Sequence, residues 1–192
     1  MCTEEIGHRL SRVEGELDVL RSKDQIRNVL ADYCRGLDRR DRDLVARCFH
    51  PDSELDFGLY KGNGDGWADL AIDGVDRYFE GNSFYFLGQS RIEIDADSAR
   101  AETYIFSPKT MKARSPNGEV EMWVGGGRFI DVFERRAGEW RILRRTFVAD
   151  WDAFFLKVSK DVLPEPWDAV AATAQMGKKD RSDASYQAGF ID

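Results

Sequence analysis

The stretch from Ile26 to Asp52 constrains the fold of this chain more than any other segment. Its first apolar residues recur at steps of three and four, which is the period of a helix with one buried face. These residues are Ile26, Val29, Leu30, Tyr33 and Leu37. The edge of the same face ends in an acid, because Asp38 lies four residues after Cys34. A charged turn and a second amphipathic helix are predicted to follow.

Asp38 is the first residue whose position needs an explanation. Turning a carboxylate toward a core costs free energy unless the group is paired or has a chemical task. One interpretation is therefore an acid that faces a pocket, where burial would raise its pKa. The alternative is a solvated and inert acid at a helix end, beside Arg39 and Arg40.

The composition bounds the class of protein. The chain has 192 residues, of which 42% are apolar, so it can bury one good core in a single domain. The formal net charge of −7 argues against nucleic acid as a partner. No apolar run approaches the roughly 18 residues of a membrane span, and the N-terminus has no signal-peptide core. We therefore expect a soluble, cytoplasmic protein.

Few residues are available for a metal or a cofactor. The two histidines, His8 and His50, stand far apart in the sequence, which disfavours zinc and non-haem iron. Cys34 and Cys48 fall on apolar helical faces, as buried free thiols do. The glycine-rich loop 61–66 lacks the GK[ST] ending of a phosphate loop. No cofactor is expected.

The first 22 residues are predicted to form a heptad helix that serves subunit or domain packing. Its apolar residues step by four and three, and they are Ile6, Leu10, Val13, Leu17 and Leu20. Residues 23–157 are predicted to form the main domain. The polar tail, residues 158–192, is interpreted as a lid or a subunit-swapped arm.

Strand patterns dominate the second half of the main domain. A strand over 54–60 and a helix over 67–79 come first, and four long strands are predicted within residues 84–148, joined by hairpin-like connections. The glycine run from Gly125 to Gly127 is interpreted as a bulge that bends one of them. Helices followed by an antiparallel meander are typical of an α+β domain, in which the helices cover one face of a curved sheet.

Three segments of the chain form a recognisable combination. They are GLDRRDRDLVARCFHPD (36–52), YFLGQSRIEID (85–95) and GRFIDVFERRAGEWRI (127–142). Together they resemble the SnoaL-like and scytalone-dehydratase-like branch of the nuclear transport factor 2-like superfamily, over residues from about 26 to about 151. The resemblance implies a cone-shaped α+β barrel that encloses one apolar pocket. Its relatives include cofactor-free dehydratases, a dehydrochlorinase, polyketide cyclases, epoxide hydrolases and lyases that release formaldehyde, and also a subunit without chemistry.

The resemblance also implies which positions carry the chemistry. The dehydratases pair an aspartate with a histidine, and Asp38 stands at the aspartate position. Tyr85 stands at the histidine position, and Lys109 stands where scytalone dehydratase has a second histidine. Phe57 replaces a pocket tyrosine, whereas Tyr33 matches a helix tyrosine of the bile-acid dehydratases. The acid is thus kept and both histidines are replaced.

The residues themselves give further expectations for these positions. Strict alternation turns Tyr85 away from the core, so its role requires a bulge at Gly88. Counting every second residue from Ala99 along the strand leads to Lys109, so Lys109 is expected on the same, mostly small and apolar, side of the strand. A lysine at a strand end can also extend its amine to water. The remaining substrate-binding candidates are aromatic residues and two strand arginines: Phe57, Tyr60, Trp67, Trp123, Arg128 and Arg145.

These observations favour a cofactor-independent lyase for a small hydrophobic, hydroxylated aromatic or multi-ring substrate. It would eliminate water, with or without formaldehyde, in the catabolism of aromatic compounds. Asp38, Tyr85, Lys109 and Tyr33 are the predicted catalytic residues, with Asp38 as the general acid or base. The alternatives are a non-catalytic binding or assembly module and a polyketide cyclase or epoxide hydrolase. A homo-oligomer is expected, with a trimer favoured over a dimer.

Overall fold

The structure is a computed structural model that describes residues 2–81, 83–114, 117–118, 120–156, 178, 180 and 182. The predicted lid or arm over 158–192 lies outside these residues, apart from three isolated positions. No helix in the described ranges is long and apolar enough to cross a membrane.

Three helices precede or interrupt a seven-stranded sheet. The helices are α1 (Cys2–Arg39), α2 (Arg42–Arg47) and α3 (Gly64–Tyr78). The strands are β1 (Phe49–Asp56), β2 (Lys61–Gly62), β3 (Phe79–Glu80), β4 (Phe86–Asp95), β5 (Ser98–Arg114), β6 (Val120–Arg136) and β7 (Glu139–Leu156). The strand order is β2-β1-β7-β6-β5-β3, and β4 pairs with β5 as well. Only the β1–β7 pairing among these is parallel.

The predicted fold class is confirmed: helices pack on one face of a curved, mostly antiparallel sheet. The buried residues of α1 follow the predicted stripe, since Ile26, Leu30, Tyr33 and Leu37 are each at most 1% exposed. They pack against inward-facing residues of β5, β6 and β7 to form one core. Burying an apolar face of this kind is the main source of stability in such a helix.

Three element boundaries differ from the sequence expectation. The predicted division at residue 22 falls inside α1, which is one continuous helix. The helix α2 has six residues, because β1 begins at Phe49 and its parallel pairing with β7 starts there. The strand β7 continues to Leu156, eight residues beyond the predicted end at Val148.

Two bulges shape the sheet where the sequence has glycine. The β4–β5 register shifts between Leu87 and Ser90, so one extra residue sits at Gly88 or Gln89. The β6–β7 register shifts between Gly126 and Gly127, and the extra residue, Asp150, belongs to β7. Both irregularities therefore lie at the predicted positions, although the second one is carried by the strand opposite the glycines.

Candidate active site

A cavity of about 200 Å³ lies between α1, α3 and the inward face of the sheet. Its wall is formed mainly by aromatic rings and bare backbone: Tyr33, Phe57, Trp67, Tyr85, Ile105, Ser107, Lys109, Trp123, Gly125, Gly126, Gly127, Phe129 and Phe147. A concave apolar site with few polar groups is the usual form of a small-molecule site. Six of the predicted site residues meet here, and they are Tyr33, Tyr85, Lys109, Phe57, Trp67 and Trp123.

Lys109 is the one ammonium or amine group among the described residues of the wall. Only 5% of the residue is exposed, and its Nζ donates to Ser107 Oγ at 2.7 Å. The same Nζ lies 4.2 Å from the ring centre of Tyr85 and 4.8 Å from that of Trp123. The ring of Phe79 lies at 5.3 Å. The predicted parity is confirmed, because Lys109 pairs with inward-facing Trp123 on β6.

Burial changes the proton affinity of this lysine. Desolvation penalises the ammonium form and lowers the pKa of Lys109 to about 7, and the positive charge of Arg40 acts in the same direction. The negative charge of Asp38 opposes both effects. The amine is therefore half neutral near pH 7, where an ordinary surface lysine is protonated.

Asp38 lies beside the cavity and does not line it. Its Oδ1 accepts the backbone N–H of Tyr85 at 3.1 Å, which fixes the residue that leads into β4. Asp38 lines a neighbouring surface hollow together with Tyr85, and Tyr85 borders both spaces. Desolvation raises the pKa of Asp38 to about 7, opposed by the Tyr85 N–H and by the charges of Arg39, Lys109 and Arg40.

The hydroxyl of Tyr33 is oriented by a tryptophan. The indole Nε1 of Trp67 donates to Tyr33 Oη at 3.0 Å, and an indole N–H can only donate. Tyr33 Oη is therefore the acceptor in this bond, and its own proton points elsewhere. Burial raises the pKa of Tyr33 above its usual range, so the phenol stays protonated. Tyr33 is thus a hydrogen-bond donor in the cavity wall.

Tyr85 reaches the cavity because of the β4 bulge. With one extra residue between Leu87 and Ser90, the strand parity reverses and residue 85 turns inward. Burial also raises the pKa of the Tyr85 phenol. A protonated tyrosine at this position offers a hydrogen-bond donor and not a base.

The predicted substrate arginines are engaged elsewhere. Arg145 is 1% exposed and forms a bidentate pair with Asp131, with both N···O distances at 2.7 Å. Its guanidinium stacks on Phe129 at 3.9 Å and on Tyr33 at 4.5 Å, so it lies behind residues that line the cavity. Arg128 pairs instead with Glu102 and Asp150.

Tyr60 also lies outside the lining. Its hydroxyl donates to the carbonyl of Asn63 at 2.7 Å, and its ring packs on Trp67 at 5.4 Å. Trp67 in turn stacks on Phe57 at 3.7 Å. Tyr60 thus supports the aromatic wall from behind and does not form it.

Two residues of the site were missed by the sequence analysis as functional candidates. Ser107 donates its hydroxyl to the carbonyl of Phe84 at 3.1 Å and accepts from Lys109. Asp131 neutralises Arg145 below the cavity. A signal for Asp131 exists in the sequence, because it stands between Phe129 and Phe133 on the inward side of a strand that otherwise alternates. Among the described residues no group of three His, Cys, Asp or Glu could hold a metal ion.

The family model for the SnoaL-like domain matches residues 18–146 of this chain. The chain belongs to this family. An uncharacterized protein of Mycobacterium tuberculosis, Rv2910c, is 26% identical over 128 residues, which are 63% of this chain and 80% of the relative.

Solved structures show the same fold. A scytalone dehydratase-like protein from Novosphingobium aromaticivorans superposes with a TM-score of 0.61 and 17% identity, over 70% of this chain and 87% of that one. The hexachlorocyclohexane dehydrochlorinase LinA of type 3 from Novosphingobium barchaimii superposes with a TM-score of 0.63 and 19% identity, over 78% and 99%. The architecture is therefore one that structural neighbours named as a dehydratase and a dehydrochlorinase also have.

Proposed function

We propose that this protein is a cofactor-independent lyase that eliminates water, with or without formaldehyde, from a small hydroxylated aromatic ketone. The observation that carries the proposal is the amine of Lys109, whose pKa is about 7, in the wall of an otherwise aromatic cavity. At neutral pH about half of an amine with this pKa is in the neutral form that can accept a proton. General-base catalysis is most effective when the pKa of the base lies near the working pH in this way. The dehydratase and dehydrochlorinase neighbours support elimination as the reaction type.

Two groups would carry out the reaction, one as a base and the other as a hydrogen-bond donor. Neutral Lys109 accepts the proton on the carbon next to the carbonyl, and the electron pair forms the new C=C bond as the hydroxyl leaves. The proton then held by Lys109 can pass to the leaving oxygen, which departs as water. The phenol of Tyr33 donates to the carbonyl oxygen, where negative charge develops. Each such group contributes about 10²–10⁴-fold to the rate.

Asp38 would act through Lys109 and Tyr85 because it does not line the cavity. Its negative charge raises the pKa of Lys109, and its Oδ1 holds the backbone of Tyr85. We therefore propose Asp38 as a positioning residue. This narrows the earlier expectation that Asp38 itself is the general acid or base.

The size of the cavity favours one aromatic ring. A cavity of about 150 Å³ is large enough to hold benzene. The 200 Å³ found here leaves room for a ring and a short polar chain. Aromatic walls suit such a ligand, which supports a role in the catabolism of aromatic compounds. The free buried thiols Cys34 and Cys48 fit the reducing cytoplasm.

The proposal can be tested with 3-hydroxy-1-phenylpropan-1-one as a probe. Loss of water gives phenyl vinyl ketone, which chromatography separates from the probe and from acetophenone, the product of a retro-aldol loss of formaldehyde without elimination of water. We expect product from the native protein and a loss of about 10²–10⁴-fold in turnover for Lys109→Met. Lys112→Met is the matched control, because Lys112 lies on the same strand with an exposed side chain.

The pH dependence distinguishes a positioning role of Asp38 from a purely structural one. With Lys109 as the base, turnover should rise with pH through about 7. In Asp38→Asn the charge that raises the pKa of Lys109 is removed, so this rise should move to lower pH. An unshifted profile would exclude Asp38 from the mechanism.

A binding module of the same fold is the second candidate, because both family histidines are replaced. It predicts that the probe binds and is recovered intact. Binding of the probe without product, in a protein that is folded and binds through the cavity, would overturn the lyase proposal.

A further inference from the structure

We propose that Lys109 is a nucleophile that forms a covalent imine with an aldehyde or ketone bound in the cavity. This goes beyond its role as a base and does not depend on which elimination the protein catalyses. It assigns to the site a class of ligand, small aromatic carbonyl compounds, and a bond to a specific atom, Lys109 Nζ.

The surroundings leave the electron pair of the amine available. Ser107 gives its only hydroxyl proton to the carbonyl of Phe84, so it accepts from Lys109 and cannot donate to the nitrogen. Within the described part of the chain, no carboxylate lies within 4.0 Å of Lys109 Nζ to hold it as an ammonium ion. The lowered pKa of Lys109 agrees with this geometry, since burial favours the neutral amine.

The steps of imine formation can be balanced with groups at the site. The nitrogen lone pair bonds to the carbonyl carbon, and the π electrons of the C=O bond move to oxygen. One proton moves from nitrogen to that oxygen, which gives a carbinolamine. A second proton, from the phenol of Tyr33 or Tyr85, lets the oxygen leave as water while the nitrogen lone pair forms the C=N bond. The product is a protonated imine and one water molecule.

The same walls stabilise the protonated imine. Its positive charge would lie at the position of Nζ, where three aromatic rings have their centres at 4.2, 4.8 and 5.3 Å. A cation this close to ring faces is attracted by their negative electrostatic potential. The apolar lining also keeps bulk water, which would hydrolyse the C=N bond, at low concentration.

Reductive trapping tests this inference directly. The full-length protein is mixed with benzaldehyde at pH 7, reduced with sodium cyanoborohydride and digested for peptide mass spectrometry. We expect a benzyl group on Lys109 well before the other lysines react. At this pH an ordinary lysine is neutral about a thousandfold less often than a lysine of pKa about 7.

Two variants control the trapping experiment. Lys109→Arg keeps a cation but cannot form an imine, and Lys112→Met removes an exposed lysine of the same strand. The first should lose the fast modification and the second should retain it. Fast labelling spread evenly over exposed lysines, or labelling that survives in Lys109→Arg, would overturn the inference. Trapping without turnover of the ketone probe would support the imine and count against the lyase proposal alone.

Discussion

Arg145 and Lys109 are two cations buried in the same sheet, and their surroundings differ in one respect. Arg145 is held by the carboxylate of Asp131 in a bidentate pair, and both side chains are fully buried. Lys109 has a hydroxyl and three aromatic rings as neighbours. The pKa of Arg145 is raised, with the charge of Asp131 and its hydrogen bond overcoming desolvation, whereas that of Lys109 falls to about 7.

The difference separates a structural cation from a reactive one. A buried charge that is paired with an opposite charge is fixed in one protonation state. A buried amine without a carboxylate partner can gain or lose its proton near neutral pH, which is the property that acid–base and nucleophilic chemistry require. The cavity opens onto the second group, while the first lies behind Phe129 and Tyr33.

Breaking the structural pair should have the largest effect on stability. Asp131→Asn leaves the guanidinium of Arg145 buried without a counter-charge, so we expect a loss of about 3–5 kcal/mol in the free energy of unfolding. Urea denaturation followed by circular dichroism measures the loss. The double variant Asp131→Leu/Arg145→Met should recover most of it, because a hydrophobic replacement removes both charges. If the single and double variants lose the same amount, the pair is not the cause.

Removing the unpaired cation, Lys109, should stabilise the protein. Lys109→Met is expected to raise the free energy of unfolding by about 1–4 kcal/mol at pH 6. The pKa of Lys109 is about 7 in the folded protein, against 10.5 for a free lysine side chain. The ammonium form is therefore favoured more in the unfolded chain, so the native protein gains stability as pH rises through this interval. The advantage of Lys109→Met should shrink toward pH 10.5 and be absent above it.

The smallest effect is expected for Arg128, which is only partly buried. Arg128 pairs with Glu102 and Asp150 at the surface, where water and salt screen both interactions. Arg128→Met should change the denaturation midpoint less than either variant above, and the change should disappear in high salt. A loss as large as that of Asp131→Asn would mean that burial does not set the difference between the two arginines.

The positions of several site residues could be predicted from helical and strand periodicity in the sequence. The α1 stripe and the parity of β5 placed Tyr33 and Lys109 on the inward side, because each depends on one regular element. Tyr85 could be predicted to face the cavity only on the condition that β4 contains a bulge. A glycine in the sequence does not specify whether, or at which residue, a strand bulges. Asp38 was placed at the edge of the buried face, but helical phase gives no information about which side chain stands between it and a cavity.

The remaining differences come from pairing between distant segments. The partnership of Asp131 with Arg145 depends on the register of β6 against β7, which the sequence of either strand alone does not reveal. The continuity of α1 was missed because its two apolar stripes face different directions. No glycine or proline stands between Leu20 and Ile26 to break the helix, so the change marks a new neighbour for the same helix and not a new element.

The glycines of β6 have a consequence for ligand selection. A methyl group on Gly125 would lie 2.4 Å from the Trp123 ring, and one on Gly127 would lie 2.3 Å from the carbonyl oxygen of Val148 and 2.9 Å from the Phe147 ring. These two rings can lie close over the strand only because the backbone beneath them is bare. The space along this wall of the cavity is therefore set by the side-chain atoms that the glycines lack. A related protein with a larger residue in place of one of these glycines would have a cavity of different shape, with every ionisable group left as it is.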